Sequence, residues 1–366
     1  MSGNTTIRML AAYFQEAEPV AFFAGMFRVR PENIHSSEEV EIDIVRSEED
    51  VSIVVTDMNT GYRMNSDDLY TNKSFRPPVH KEALPLNSAD LIKRMPGENP
   101  FESPNFRANV IKKMFSGMRK IQRKIARAIE LQASQVMQTG IVSLTDINGA
   151  VLYTLDYKPK ATHFPTAGTS WASATLAQKI ADIISLADKV RTDGLVSPDE
   201  LVFGASAWEN LIQTAGFLDI RFDSSRASLG EITSQSRRGG GGIYRGTIEL
   251  GNYKFDVFTY DGRYKNPQTG VSTPFMHPGK IVVRSTSGRL DATFGAIPNI
   301  GALLGASGRL LPELPQRFTS TEFGVDLFTN VWLSADGESL FGGVGARPLM
   351  VPTAIDTFGC LNTQLT

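Results

Sequence analysis

The residue pattern closest to a catalytic signature is Gly204-Ala205-Ser206-Ala207-Trp208, which lies between a predicted strand and a predicted helix. That is the setting of a hydrolase nucleophile elbow, where a sharp turn exposes a serine. The pattern fails at its last position, because Trp208 stands where a glycine lets strand and helix approach. Ser206 reads more simply as a helix N-cap. The four histidines, His35, His80, His163 and His277, occupy polar or proline-flanked stretches, and none has a partner at metal-ligand spacing. Arg237, Arg238, Gly239, Gly240, Gly241 and Gly242 offer backbone N–H groups to a phosphate, yet they lack the P-loop spacing and the strand-to-helix context. They read as a mobile loop. The glycines from Gly301 to Gly308 fail the dinucleotide fingerprint for the same reason. No catalytic, cofactor or metal site is expected.

Composition narrows the classes further. The chain has 366 residues, enough for a sizeable core and for two domains, with 37 basic against 39 acidic residues. A free-standing nucleic-acid-binding domain would carry more positive charge. The lone Cys360 excludes internal disulfides and cysteine clusters, which suits a reducing cytoplasm. Glu16, Glu18 and Pro19 interrupt any signal-peptide pattern near the start. No apolar run reaches membrane-spanning length, so no membrane partner is expected.

The elements that would position a function are led by one long helix, expected from Ser103, as N-cap before Pro104, to the stop at Gly140. Phe106, Val110, Ile111, Met114, Met118, Ile121, Ile125, Ala128, Ile129 and Val136 fall on one arc at 100° per residue. Lys112, Lys113, Arg119, Lys120, Arg123, Lys124 and Arg127 take the opposite arc, and Arg107 is the exception. At 1.5 Å per residue the helix is about 50 Å long. A solvated surface would explain a charged arc in general. Here no acidic residue lies between Arg107 and Ala128 to form helical i,i+4 pairs. The imbalance argues for an anionic neighbour, either acidic protein or nucleic acid held through its phosphates.

Around this helix the chain divides as follows. Residues 1–37 contain a short helix, Thr6 to Glu16, and an apolar run, and are expected to pack outside their own core. Val40, Ile42 and Ile44 alternate with Glu41 and Asp43 as a strand, with Val51 to Thr56 as its partner. Asp57 to Leu84 is a long polar loop, a type that is functional or borne on a partner. A strand-like return, a short helix from Ser88 to Met95 and a hinge from Pro96 to Pro104 follow. Ile141 to Ile147 and Val151 to Tyr157 flank Asn148-Gly149, a strong hairpin signal. Pro159 to Ser170 reads as a linker to a second, α/β domain. That domain has a helix from Leu176 to Gly194, a strand at Glu200 to Phe203, a helix from Ser206 to Ala215, and strands at Thr247 to Leu250, Lys254 to Tyr260 and Lys280 to Arg284. Phe323 to Leu333 and Leu349 to Thr357 are strand-like again, separated by Gly342, Gly343 and Gly345.

Several local motifs resemble the major capsid proteins of lambda-like tailed phages, the phage major capsid protein E family. The most specific block is Pro77-Pro78-Val79-His80-Lys81-Glu82-Ala83-Leu84-Pro85-Leu86, then Leu91-Ile92-Lys93-Arg94-Met95-Pro96-Gly97-Glu98-Asn99-Pro100, then the basic helix to Arg127. Fainter likeness lies in Gly168-Thr169-Ser170-Trp171, in Asp261 to Lys265 and in Arg347-Pro348-Leu349-Met350.

The resemblance implies an α+β, Hong Kong 97-type phage capsid fold with an N-terminal arm, an extended two-stranded loop, a peripheral domain with a long spine helix, and an axial α/β domain. Mapped onto this chain, residues 1–37 are the arm and 38–84 the extended loop that reaches across a neighbour. Residues 85–164 are the peripheral domain, with spine helix 104–139 and hairpin 141–157; 165–315 are the axial domain, with Arg237 to Gly242 as its mobile loop; and 316–366 are strands completing the peripheral domain. The implied function is that of a major capsid protein, not an enzyme, found in the virion and assembled in the host bacterial cytoplasm. It would form hexamers and pentamers of an icosahedral shell around double-stranded DNA, with the spine helix toward the interior. The implied partners are further copies of itself, a separate scaffolding protein, a portal, a decoration protein and packaged DNA held without sequence specificity. Some relatives cross-link loop lysines to asparagines of neighbours; Lys73 and Lys81 lie in the loop region here, but lambda-like relatives do not rely on that bond. A tail component, or a hydrolase using Ser206, is the alternative.

Overall fold

The computed structural model describes residues 21–35, 40–45, 70–87, 106–145, 150–217, 222–223, 241–297, 327–334 and 339–365. In chain order the described elements begin with β1 (Arg28–Ile34), β2 (Val40–Val45), β3 (Tyr70–Phe75), β4 (His80–Asn87), α1 (Phe106–Thr139), β5 (Ile141–Thr145) and β6 (Val151–Asp156). Next come α2 (Leu176–Gly194), β7 (Glu200–Phe203), α3 (Ala205–Ile212), β8 (Phe222–Asp223), β9 (Ile243–Leu250), β10 (Tyr253–Thr259), β11 (Arg263–Lys265), β12 (Ser272–Pro274), β13 (Lys280–Arg284) and β14 (Asp291–Phe294). The chain ends with β15 (Phe328–Leu333), β16 (Ser339–Ala346), β17 (Pro348–Val351) and β18 (Phe358–Asn362).

A six-stranded sheet in the order β18-β13-β7-β10-β9-β8 forms the central wall. Alternation along its strands sends side chains to two cores. Leu201, Phe203, Ile281 and Val283 face α2 and α3 in one core, while Val202, Val282 and Cys360 face the second. That second core also takes the C-terminal half of α1 through Ala133, Val136 and Met137. The other half of α1 packs Met114, Phe115, Met118, Ile121 and Ile125 on Val344 and Ala346 of the sheet β15-β16-β4. The helix is therefore long because it bridges two sheets. Its 34 residues end where Gly140 takes a φ of +68° and donates its N–H to Val136.

Several sequence expectations hold. The alternating segment at Val40 is a strand, and β5 and β6 pair as an antiparallel hairpin. α2 ends at Gly194 and is set by a capping box in which Thr175 and Gln178 each satisfy the other's backbone N–H. The helix Thr6 to Glu16, the strand Val51 to Thr56, the helix Ser88 to Met95, the cap at Ser103, the turn at Asn148-Gly149 and the glycines from Gly301 to Gly308 lie outside the described residues.

Others are corrected. Part of the supposed polar loop is β3, the partner of β2, and β4, which pairs with β16. Within the expected arm, the described residues 21–35 pack into the chain's own core: Phe22 and Phe23 are fully buried, and β1 pairs in parallel with β14. Phe22 stacks on Tyr260 with ring centroids 4.6 Å apart. The supposed linker is a packed strap, with backbone bonds from Ala167 to Asn362 and from Trp171 to Thr363, and with the Trp171 ring wholly buried. The glycine-rich interval near Gly342 is β16. The C-terminal strands divide among three sheets: β15 and β16 join β4, β17 joins β14, and β18 completes the edge of the central wall.

Candidate assembly surfaces

α1 exposes one electropositive strip. Lys120, Arg123, Lys124 and Arg127 are exposed, Lys113 and Arg119 are half-buried, and the Lys112 side chain lies outside the described residues. Arg119, Lys120, Arg123, Lys124 and Arg127, together with Ser116, line one open groove. Their spacing of one, three, one and three residues is what keeps five cations on one helical face. Within the strip, Lys124 Nζ lies 2.6 Å from Glu82 Oε2 of β4.

Beyond the strip, the C-terminal half of α1 is buried on several sides and holds polar groups that periodicity does not announce. Glu130, Gln132, Ser134 and Gln138 are all buried. Ser134 Oγ and Gln138 Nε2 both donate to the carbonyl of Phe275, at 2.7 and 2.9 Å, and Gln138 Oε1 accepts the N–H of His277. These bonds hold the segment after β12 against α1. Glu130 accepts from the N-terminal segment, and its burial raises its carboxyl above the ordinary range against the opposing pull of those N–H donors.

The remaining candidates resolve as structural groups. Gly204, not Ser206, is the N-cap residue of α3, and no side chain caps it; Ser206 lies within the first turn. A Cβ at Gly204 would stand 2.4 Å from the carbonyl oxygens of both His277 and Pro278, so this glycine serves close backbone packing. His163 is no polar-loop residue: it is buried, with Nδ1 2.9 Å from the Phe358 carbonyl oxygen and Nε2 2.9 Å from Asp193 Oδ2. His80 lies on β4 within 3.2 Å of Gln132 Nε2, and His277 Nδ1 accepts the N–H of Gly279. Cys360 is buried in the central sheet, with its thiol pushed up to about 12 by desolvation. Of the glycine-rich loop, Arg237, Arg238, Gly239 and Gly240 lie outside the described residues. Gly241 has a φ of +98°, and Gly242 abuts the Phe22 ring. Among the described residues no cluster of three or more His, Cys, Asp or Glu side chains is arranged to hold a metal, and no helix is long and apolar enough to cross a membrane.

The body of the described architecture is thus a helix that bridges two sheets and carries a cationic outer strip. Its fold matches the crystal structure of a prophage capsid protein from E. coli CFT073, with a TM-score of 0.65 at 19% identity over 97% of this chain and 98% of that one. This is the mixed α+β, Hong Kong 97-type capsid fold. Alignments too weak to carry an inference reach a phage-related protein from Bordetella bronchiseptica RB50, with a TM-score of 0.49 at 10% identity over 98% of both chains. They also reach the capsid of cyanophage P-SCSP1u, with a TM-score of 0.45 at 10% identity over 93% and 88%. No curated protein sequence matches. The family model for phage major capsid protein E matches residues 6–358, and the chain belongs to that family. It is therefore a structural protein of the virion that assembles with copies of itself into a shell, not an enzyme.

Proposed function

We propose that this capsid subunit forms the hexamers and pentamers of an icosahedral shell that encloses the double-stranded DNA of a lambda-like tailed phage, with the basic strip of α1 turned to the genome. The supporting observation is the strip itself. Five cationic side chains share one groove, and α1 supplies no acidic residue between Arg107 and Ala128 to neutralise them. DNA presents closely spaced phosphates and asks only for such unspecific positive charge. Residues 1–37 then act as the arm, 38–84 as the loop that crosses to a neighbour, and 85–164 as the peripheral domain. Residues 165–315 form the axial domain with Arg237 to Gly242 as its moving loop, and 316–366 return mainly to the peripheral domain. Assembly takes place in the host bacterial cytoplasm on a separate scaffolding protein and around a portal, and a decoration protein reinforces the finished shell.

The test replaces Lys112, Arg119 and Arg123 together with glutamine. Electron microscopy is expected to show shells of normal form, and nuclease-protected DNA per particle is expected to fall. If particles fail to form at all, the strip meets acidic protein, a scaffold or a neighbouring subunit, and the genome reading is wrong.

A further inference from the structure

α1 has no acid of its own along the strip, and a carboxylate enters it from β4. Strand alternation puts His80, Glu82, Leu84 and Leu86 on the side of β4 turned toward α1. His80 meets Gln132, Leu84 lies against Gly117, and Leu86 is buried. Glu82 is thereby held over the basic row, with Oε2 2.6 Å from Lys124 Nζ. Lys124 stands between Lys120, Arg123 and Arg127 in the groove, so the negative charge falls within the row and not at its end. The two side chains are 46% and 51% exposed. A pair this open to water contributes little to stability, so the fold has small need of it. Its larger effect is on the field of the groove.

We propose that Glu82 is a built-in competitor for the polyanion: it occupies Lys124 and thereby sets how tightly the strip holds a phosphate backbone. A duplex engaging the whole row displaces Glu82 from Lys124, and the row otherwise binds through one cation fewer. Moderate attraction suits a shell that must take in DNA during packaging and let it go at ejection. The inference rests on the reading that the strip meets DNA.

The experiment measures binding of a short DNA duplex to the full-length, unassembled subunit by fluorescence anisotropy across a series of salt concentrations. Glu82→Gln is expected to bind roughly threefold tighter at moderate salt, with the slope of log affinity against log salt steeper by about 0.9, the value of one further phosphate contact. In the Lys124→Gln background, Glu82→Gln is expected to change much less, because the cation it would release is gone. Equal affinity and slope for Glu82→Gln and the parent, while Arg119→Gln with Arg123→Gln weakens binding, would overturn the competitor role and leave the DNA reading standing. Binding that is absent in the parent, or indifferent to Arg119→Gln with Arg123→Gln, overturns both. Unchanged melting of Glu82→Gln establishes that the fold is intact in the comparison.

Discussion

The carboxylate of Glu130, in the buried stretch of α1, accepts the backbone N–H of Phe23 at 2.9 Å, and its other oxygen accepts that of Ala24 at 2.9 Å. The bridging helix thus grips the segment that inserts Phe22 and Phe23 into the main core. Glu130→Ala leaves one buried and one partly buried donor without their acceptor, an unpaired buried donor costing about 1–3 kcal/mol and the partly buried one less. The expected loss is about 2–4 kcal/mol in denaturant unfolding, with earlier proteolysis near residue 21. Glu130→Gln keeps one acceptor and is expected to lose less. Parent-like stability of the alanine variant would remove the clamp from the account.

Two carboxylates are expected to respond to pH with opposite sign. Burial raises Glu130 above its unfolded value of about 4.3, so between that value and its folded one the unfolded state gives up its proton first. Stability from this group therefore falls as pH rises through that window. Asp193 is lowered, chiefly by the hydrogen bond from Lys160 and against the opposing effect of burial, with His163 adding to the lowering. Its contribution is present above about 3.9 and is lost as pH falls through its lowered folded value. Melting temperature followed against pH checks both: Glu130→Gln is expected to remove the first dependence, and Asp193→Asn the second.

Gly204→Ala is expected to cost at least about 1–3 kcal/mol, because the added methyl group meets two fixed backbone carbonyls instead of movable side chains. Ser206→Ala, two residues on, is expected to cost less than about 1 kcal/mol and to alter no ester turnover. Thermal melts of the two variants side by side decide the matter. A folded, parent-like Gly204→Ala would show that the approach to His277 and Pro278 can relax.

Cys360 offers a chemical reporter. Its buried thiol, pushed up to about 12, is expected to ignore a thiol reagent at neutral pH and to react fully once the chain is unfolded. Rapid modification of the native subunit would mean that the edge of the central sheet opens readily.

The parts of the fold legible in the sequence are those whose signal is local. The stripe from Met114 to Val136 declares α1, the two short apolar runs after Gly140 declare the hairpin, and the cationic arc declares the strip. β16 was hidden because Gly342, Gly343 and Gly345 carry the signature of a turn. Their reason is tertiary: Gly342 faces Met114 and Met118, with room for a Cβ only at 3.3 Å from each, and Gly343 lies under the Trp332 ring. β18 was hidden similarly, since a Cβ at Gly359 would meet the carbonyl oxygen of His163 at 2.6 Å. Glu130 and Glu82 were not legible as functional groups. Their partners stand 107 and 42 residues away, and no spacing rule reaches that far.

The pairing of β1 with β14 and of β13 with β18 fixes the order in which this protein can be completed. The strand at residues 28–34 must wait for residues 291–294, and the edge of β13 stays open until residues 358–362 arrive. Distant pairings of this kind form slowly, and an open edge in the meantime accepts a strand from any chain that offers one. Making the subunit is therefore a race between a chain closing on itself and two unfinished chains exchanging their last strands. Lower temperature and slower synthesis favour the first outcome, and crowding of nascent copies favours the second.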